Sequence, residues 1–164
     1  MAQSTVIKNF RDGTLTFTDN TGTPLSLPIV YEAGDFSIDN LSEGLVETTA
    51  YLDRGEFATL RKTNRVFPSF SFTAHMTDLS DATDKLLYDL VRKTGAWASA
   101  VSTLGANADA MTYKLTWACE GTNFGDTTDH TMVLNDCRVT MSIAEGDPNS
   151  FSVSGIVYGT ITAT

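Results

Sequence analysis

Two runs along this chain alternate apolar and polar positions with a period of two. Phe70, Phe72, Ala74 and Met76 are interleaved with Ser71, Thr73 and His75, and Tyr113, Leu115, Trp117 and Cys119 with Lys114, Thr116 and Ala118. Such spacing puts each apolar set on one face of a half-buried strand. Between the runs the period lengthens, and Leu79, Leu86, Leu87, Leu90 and Val91 fall on one helical stripe. The pattern predicts a helix over 80–93, capped by Ser80 or Asp81, with Asp81 and Asp84 as a capping pair. Lys85 and Asp89 then sit four apart on its wet side. Arg92 and Lys93 suit the C-terminal dipole, and Gly95 ends the helix.

The N-terminal part predicts short strands at 6–10 and 14–18 around Arg11-Asp12-Gly13, a turn signal. Pro24 and Pro28 make 23–30 an edge strand or extended arm, because proline removes a ladder donor. Phe36 and Ile38 alternate briefly with Ser37 and Asp39. Trp97 to Val101 reads as a strand or loose turn, and 104–110 as a loop. Three closing strands are expected at 111–120, 131–144 and 151–162. In the second, Val133, Cys137, Val139, Met141 and Ile143 share one parity while Met132 and Leu134 have the other, which predicts a bulge near Asn135. Glu145-Gly146-Asp147-Pro148-Asn149 is a turn.

The stretch 41–67 differs from the rest. Strands at 46–52 and 57–62, joined by Asp53-Arg54-Gly55, describe a hairpin thin in large apolar residues. A hairpin of that kind cannot hold itself by its own core. It is also the basic island of the chain, with Arg54, Arg61, Lys62 and Arg65. The expectation is therefore either a mobile loop or a segment packed on a neighbouring subunit, with these four residues forming the contact and meeting acidic surface on another copy. Both charge sets on one chain are what a head-to-tail ring requires.

Composition narrows the function. The 164 residues carry 11 Lys and Arg against 20 Asp and Glu, a formal charge of -9. After Gly95 only Lys114 and Arg138 oppose the acids Asp109, Glu120, Asp126, Asp129, Asp136, Glu145 and Asp147. Capture of nucleic acid wants the reverse balance. An acidic surface can instead line a passage for DNA, where repulsion prevents sticking. The length suits a single domain over 1–164. Residues 1–10 lack a long apolar stretch and no run reaches membrane-spanning length, so Cys119 and Cys137 are expected to be reduced core thiols of a cytoplasmic product.

Candidate chemistry is sparse, and no enzyme is expected. His130 beside Asp129 has no nucleophile motif near it. Two histidines and two separated cysteines give no zinc spacing. Asp126, Asp129, Glu145 and Asp147 could supply oxygen ligands to calcium but form no regular loop. The 121–125 segment lacks the lysine of a phosphate loop. Trp97, Trp117 and Tyr113 could make a sugar platform, though the parity of Trp117 favours core packing. No catalytic, cofactor or metal residue is assigned.

The order of strand 66–76, helix 80–93, strand 111–120 and closing hairpin 131–162 resembles that of the major tail tube proteins of long-tailed, siphovirus-like bacteriophages. The phrase 80–97 and the ending Glu145-Gly146-Asp147-Pro148-Asn149 with 151–158 carry most of the likeness. The N-terminal part, with Pro24 and Pro28, does not match the pattern. The resemblance implies a mainly β fold, a β-sandwich or partial barrel with one flanking α-helix. It also implies homo-hexameric rings stacked into a hollow tube, through which genomic DNA passes without sequence-specific binding. Other tail proteins would be partners, no membrane or cofactor would be involved, and assembly in the host cytoplasm would place the chain in the virion tail. The alternatives are a capsid decoration or connector protein, or a monomeric carbohydrate-binding β-sandwich module.

Overall fold

The computed structural model describes residues 13–31, 35–121 and 128–164. The strand expected at 6–10, most of the turn after it, Asp126 and the 122–125 segment lie outside the described residues. The strands are β1 (Thr14–Thr18), β2 (Ser26–Ile29), β3 (Ser37–Asp39), β4 (Val46–Asp53), β5 (Glu56–Arg65), β6 (Ser69–His75), β7 (Tyr113–Cys119), β8 (His130–Ala144), β9 (Ser150–Val157) and β10 (Ile161–Ala163). One α-helix, α1, covers Leu87–Arg92. The mainly β class with one flanking helix, expected from the sequence, holds.

All strands except β4 and β5 belong to one antiparallel sheet, ordered β2-β1-β7-β8-β9-β6-β3, with β10 added beside β8. Alternation explains which face turns inward. Leu15 and Phe17 of β1, Phe70, Phe72 and Ala74 of β6, Tyr113 and Leu115 of β7, and Phe151, Val153 and Val157 of β9 are all buried in one core. The sheet is strongly curled. From β1 to β6 there are four strand spacings, roughly 19 Å if flat, yet the Phe17 and Phe70 rings lie 6.4 Å apart. Curling also brings the chain just after β2 to the far edge of β6, where Tyr31 and Ala74 form a single bridge. The described strands therefore make a partial barrel whose ends meet at one point without closing.

Two details confirm the pattern reading. Cys137 lies opposite Tyr113 while Leu134 lies opposite Leu115, so β8 carries an extra residue at Asn135–Asp136. That bulge lets Leu134 and Cys137, of opposite parity, both point into the core. Pro28 sits in β2, an edge strand, where its missing N–H interrupts no ladder on the open side. Gly155 lies opposite Phe70, and the Phe70 ring occupies the space that a Cβ there would need.

The helix is shorter than its stripe suggested. It begins after Leu86 and has no side-chain cap. Asp81 does not cap it. Its Oδ1 accepts the backbone N–H of Thr83 at 2.6 Å and of Asp84 at 2.9 Å, forming a local turn that delays the start of the helix. Leu79 is exposed, so the buried stripe is Leu86, Leu87 and Leu90. Asp89, expected on the wet side, is fully buried. Lys93, in a left-handed conformation, ends the helix in place of Gly95. Trp97 belongs to a short 3₁₀ turn, Gly95–Trp97, and the closing strand expected over 151–162 is broken between Val157 and Ile161.

Candidate assembly surface

The hairpin of β4 and β5 is a separate two-stranded sheet. Its turn is Arg54-Gly55, with φ of 51° and 86°, the two-residue geometry whose twist matches antiparallel strands. The turn fixes the register. Leu52 lies opposite Phe57, Ala50 opposite Leu60, and Asp53 opposite Glu56. Ala50, Leu52, Phe57 and Leu60 consequently share one face, and Thr49, Tyr51, Thr59 and Arg61 the other. From Glu47 to the end of β5 every residue is exposed. Leu52, Phe57 and Leu60 remain 63%, 66% and 56% accessible. Burying each such side chain is worth about 1.5–3 kcal/mol, which is left unclaimed in one chain. Both outer edges of the hairpin also carry unpaired backbone groups.

The four basic residues expected at a subunit contact are spread along the hairpin and do not converge. Arg54 is at the tip. The Arg61 guanidinium lies 5.6 Å from the Tyr51 ring centroid, and Lys62 pairs with Glu43 at 3.2 Å. Arg65 donates to the Tyr158 carbonyl at 2.8 Å and lies 5.4 Å from the Phe67 ring centroid, while Phe67 packs on Tyr158. Arg65 thus anchors the hairpin base to the break between β9 and β10. The apolar face and the facing Asp53 and Glu56 went unnoticed in the sequence. The register implied by a two-residue Arg-Gly turn is the signal that finds them.

A second surface lies on the outer side of β3, β6, β9 and β8. The register lines up Ser37, Ser71, Ser154 and Thr140 in one row, and Thr73, Ser152 and Ser142 in the next. Ser37 and Ser71 share a hydrogen bond of 2.9 Å, and Thr140 and Ser154 one of 3.0 Å. Beside these rows runs an open groove of about 400 Å³, lined by Ser69, Arg138, Ser154, Gly155, Ile156 and Tyr158.

The sugar platform is overturned. Trp97 and Tyr113 are 0% and 2% accessible and meet edge to face in the core. Trp117 is partly buried and stacks on Phe36. The raised ionisations belong to packing. Burial pushes the Tyr113 phenol up and the Cys137 thiol to about 12. Cys119 and Cys137 are buried and outside any disulfide. Among the described residues no group of three or more His, Cys, Asp or Glu gathers as a metal site, and no helix is long and apolar enough to cross a membrane.

An open, curled antiparallel sheet with one short helix is a fold this chain shares with components of injection particles. It is similar, with a TM-score of 0.56, 10% identity and 99% of each chain covered, to a chain of the sheath/tube terminator of the extracellular contractile injection system PVC in its extended state. It is also similar, with a TM-score of 0.50 and 11% identity over 99% of this chain and 97% of the other, to a chain of the six-fold-symmetrised anti-feeding prophage (AFP) baseplate. At these identities the likeness is one of fold. No family model and no curated protein matches the chain.

Proposed function

We propose that this chain is a structural subunit of a phage-tail-type particle, one tail-tube-like domain that assembles with copies of itself into hexameric rings. The rings stack into a hollow tube that genomic DNA traverses without sequence-specific contacts. The observation that carries this reading is the hairpin: two strands with an exposed apolar face, sharing no core with the sheet that bears them. Among the described residues nothing covers that face, and a second molecule would bury it. The fold shared with tube-terminator and baseplate chains supports the tail setting, and the six-fold symmetry of the baseplate particle supports the ring size. The acidic balance of the chain suits a passage that DNA must not adhere to. The role is mechanical and needs no catalytic centre.

The sheath/tube terminator neighbour also favours a second reading, a ring that ends a tube and does not polymerise. Electron microscopy of concentrated protein separates the two: tubes support the first and single rings the second. Replacing 47–64 by a short glycine-serine link provides the control. The shortened chain should melt like the parent and remain monomeric under all conditions in which the parent forms rings. Rings that form equally well without the hairpin would remove the basis of the proposal.

A further inference from the structure

The tip of the hairpin holds an unresolved electrostatic problem. Asp53 and Glu56 face each other directly across the two strands, and like charges so placed destabilise a hairpin. Neither has an ion-pair partner among the described residues. Beside them, on the other face, Leu52 and Phe57 are the most exposed apolar pair of the arm. The tip therefore presents two carboxylates, with Arg54 in the turn between them, next to an apolar wedge.

The groove at the hairpin base is its complement. Arg138 is exposed and unpaired among the described residues. It is the one Lys or Arg on the strands β3, β6, β8 and β9. It lies opposite Ile156, which is 42% accessible. A groove at Lys85, Leu86 and Val30 has about 150 Å³ against about 400 Å³ here. One of about 460 Å³ at Lys93, Val101 and Met111 also holds the carboxylate of Asp109, which would repel an acidic tip.

Reach decides whose tip fills it. Tyr158 lines the groove and also holds Arg65 at the hairpin base. The tip stands about 25 Å away along the eight residues of β4. A chain cannot seat its own tip there. We propose that the hairpin tip of one copy docks on the Arg138–Ile156 groove of the next, with Leu52 and Phe57 against Ile156 and the Asp53 and Glu56 carboxylates toward Arg138. The contact is head to tail, because tip and groove are different surfaces, and such contacts propagate into rings or filaments. This rests on the self-assembly reading above.

Charge reversal tests it. Arg138→Glu and the double variant Asp53→Lys/Glu56→Lys should each raise the concentration needed for association by about tenfold or more, read by sedimentation velocity. Combining all three should restore association. Phe57→Ser should weaken association with no charge change, and all four proteins should melt like the parent. If the reversals associate like the parent, or the combination is no better than its parts, the docking site is wrong while the assembly reading stands. A parent that stays monomeric at every concentration overturns both.

Discussion

Asp89 shows how much one side chain can organise. It is fully buried, yet it is no liability, because donors converge on both oxygens. Ser80 Oγ and Thr94 Oγ1 donate to Oδ1 at 2.8 and 2.6 Å, and the Asp81 N–H donates to Oδ2 at 3.0 Å. Gly95, at a φ of 51°, lets the chain pass so close that a Cβ there would collide with the Asp89 carboxylate and the Asp81 carbonyl. Burial alone would raise the Asp89 pKa. The bonds from Thr94, the Asp81 backbone and Ser80 outweigh it and hold the value below the ordinary 3.8. A folded-state value below the unfolded one means stabilisation complete above the unfolded value, and lost as pH falls through the folded one. Asp89→Asn keeps the size but sets an amide N–H₂ against at least one donor. It should cost about 3 kcal/mol at neutral pH by chemical denaturation, the range for hydrogen bonds to a charged group. Its stability should also decline less steeply than the parent's below pH 3.8. The residual slope would include exposed Asp81, whose own pKa is lowered to about 2 by bonds from Thr83 and Asp84. Equal acid slopes for the two proteins would show that Asp89 is not the group titrating.

At the scale of elements, the hairpin turn offers the cleanest separation of local from global stability. Arg54 occupies a left-handed conformation, φ 51°, that costs an ordinary L-residue about 1–2 kcal/mol and asparagine less. Arg54→Asn should strengthen the hairpin by roughly 0.5–1 kcal/mol. The gain should appear as slower amide exchange in β4 and β5, with the melting of the sheet unchanged because the two share no core. Unaltered exchange would mean that the turn does not limit the hairpin. The same variant asks whether Arg54 is a contact residue, as its charge suggested, or a turn residue, as its backbone does. Elements such as this one were legible in the sequence because their determinants are local. The Arg-Gly turn, the alternation of Phe70, Phe72 and Ala74, and the parity change at Asn135 all act within a few residues. The helix differs from its stripe because side-chain bonds, from Thr83 and Asp84 to Asp81 and from Ser80 and Thr94 to Asp89, compete with the helical path and leave no mark on the apolar period. Asp89 reads as a wet-side partner of Lys85 only if the helix covers both, and it starts at Leu87. Of the four basic residues, three turned out to have partners within their own chain, on Tyr51, Glu43 and Tyr158. Single-chain pattern gives no hint of those contacts, nor of the insertion of β7 between β1 and β8.

For the whole molecule the deciding quantity is the formal charge of -9. Copies brought into a ring repel one another through these charges, while the docking proposed above adds a local attraction between two carboxylates and Arg138. The two terms respond differently to salt. Repulsion between exposed charges reaches ~30 Å at ~10 mM salt but only ~8 Å at ~150 mM, whereas a pair sheltered in a groove beside Ile156 is screened much less. Apolar burial of Leu52 and Phe57 is not weakened by salt at all. Raising the ionic strength over that range should therefore promote association of the parent protein, measured by sedimentation at fixed concentration. Arg138→Glu should lag behind it at every salt concentration, because it removes the sheltered attraction and adds to the general repulsion. Association that falls steadily with salt would reverse the ranking, making exposed ion pairs the dominant force. The apolar wedge could then no longer be the main source of cohesion between copies.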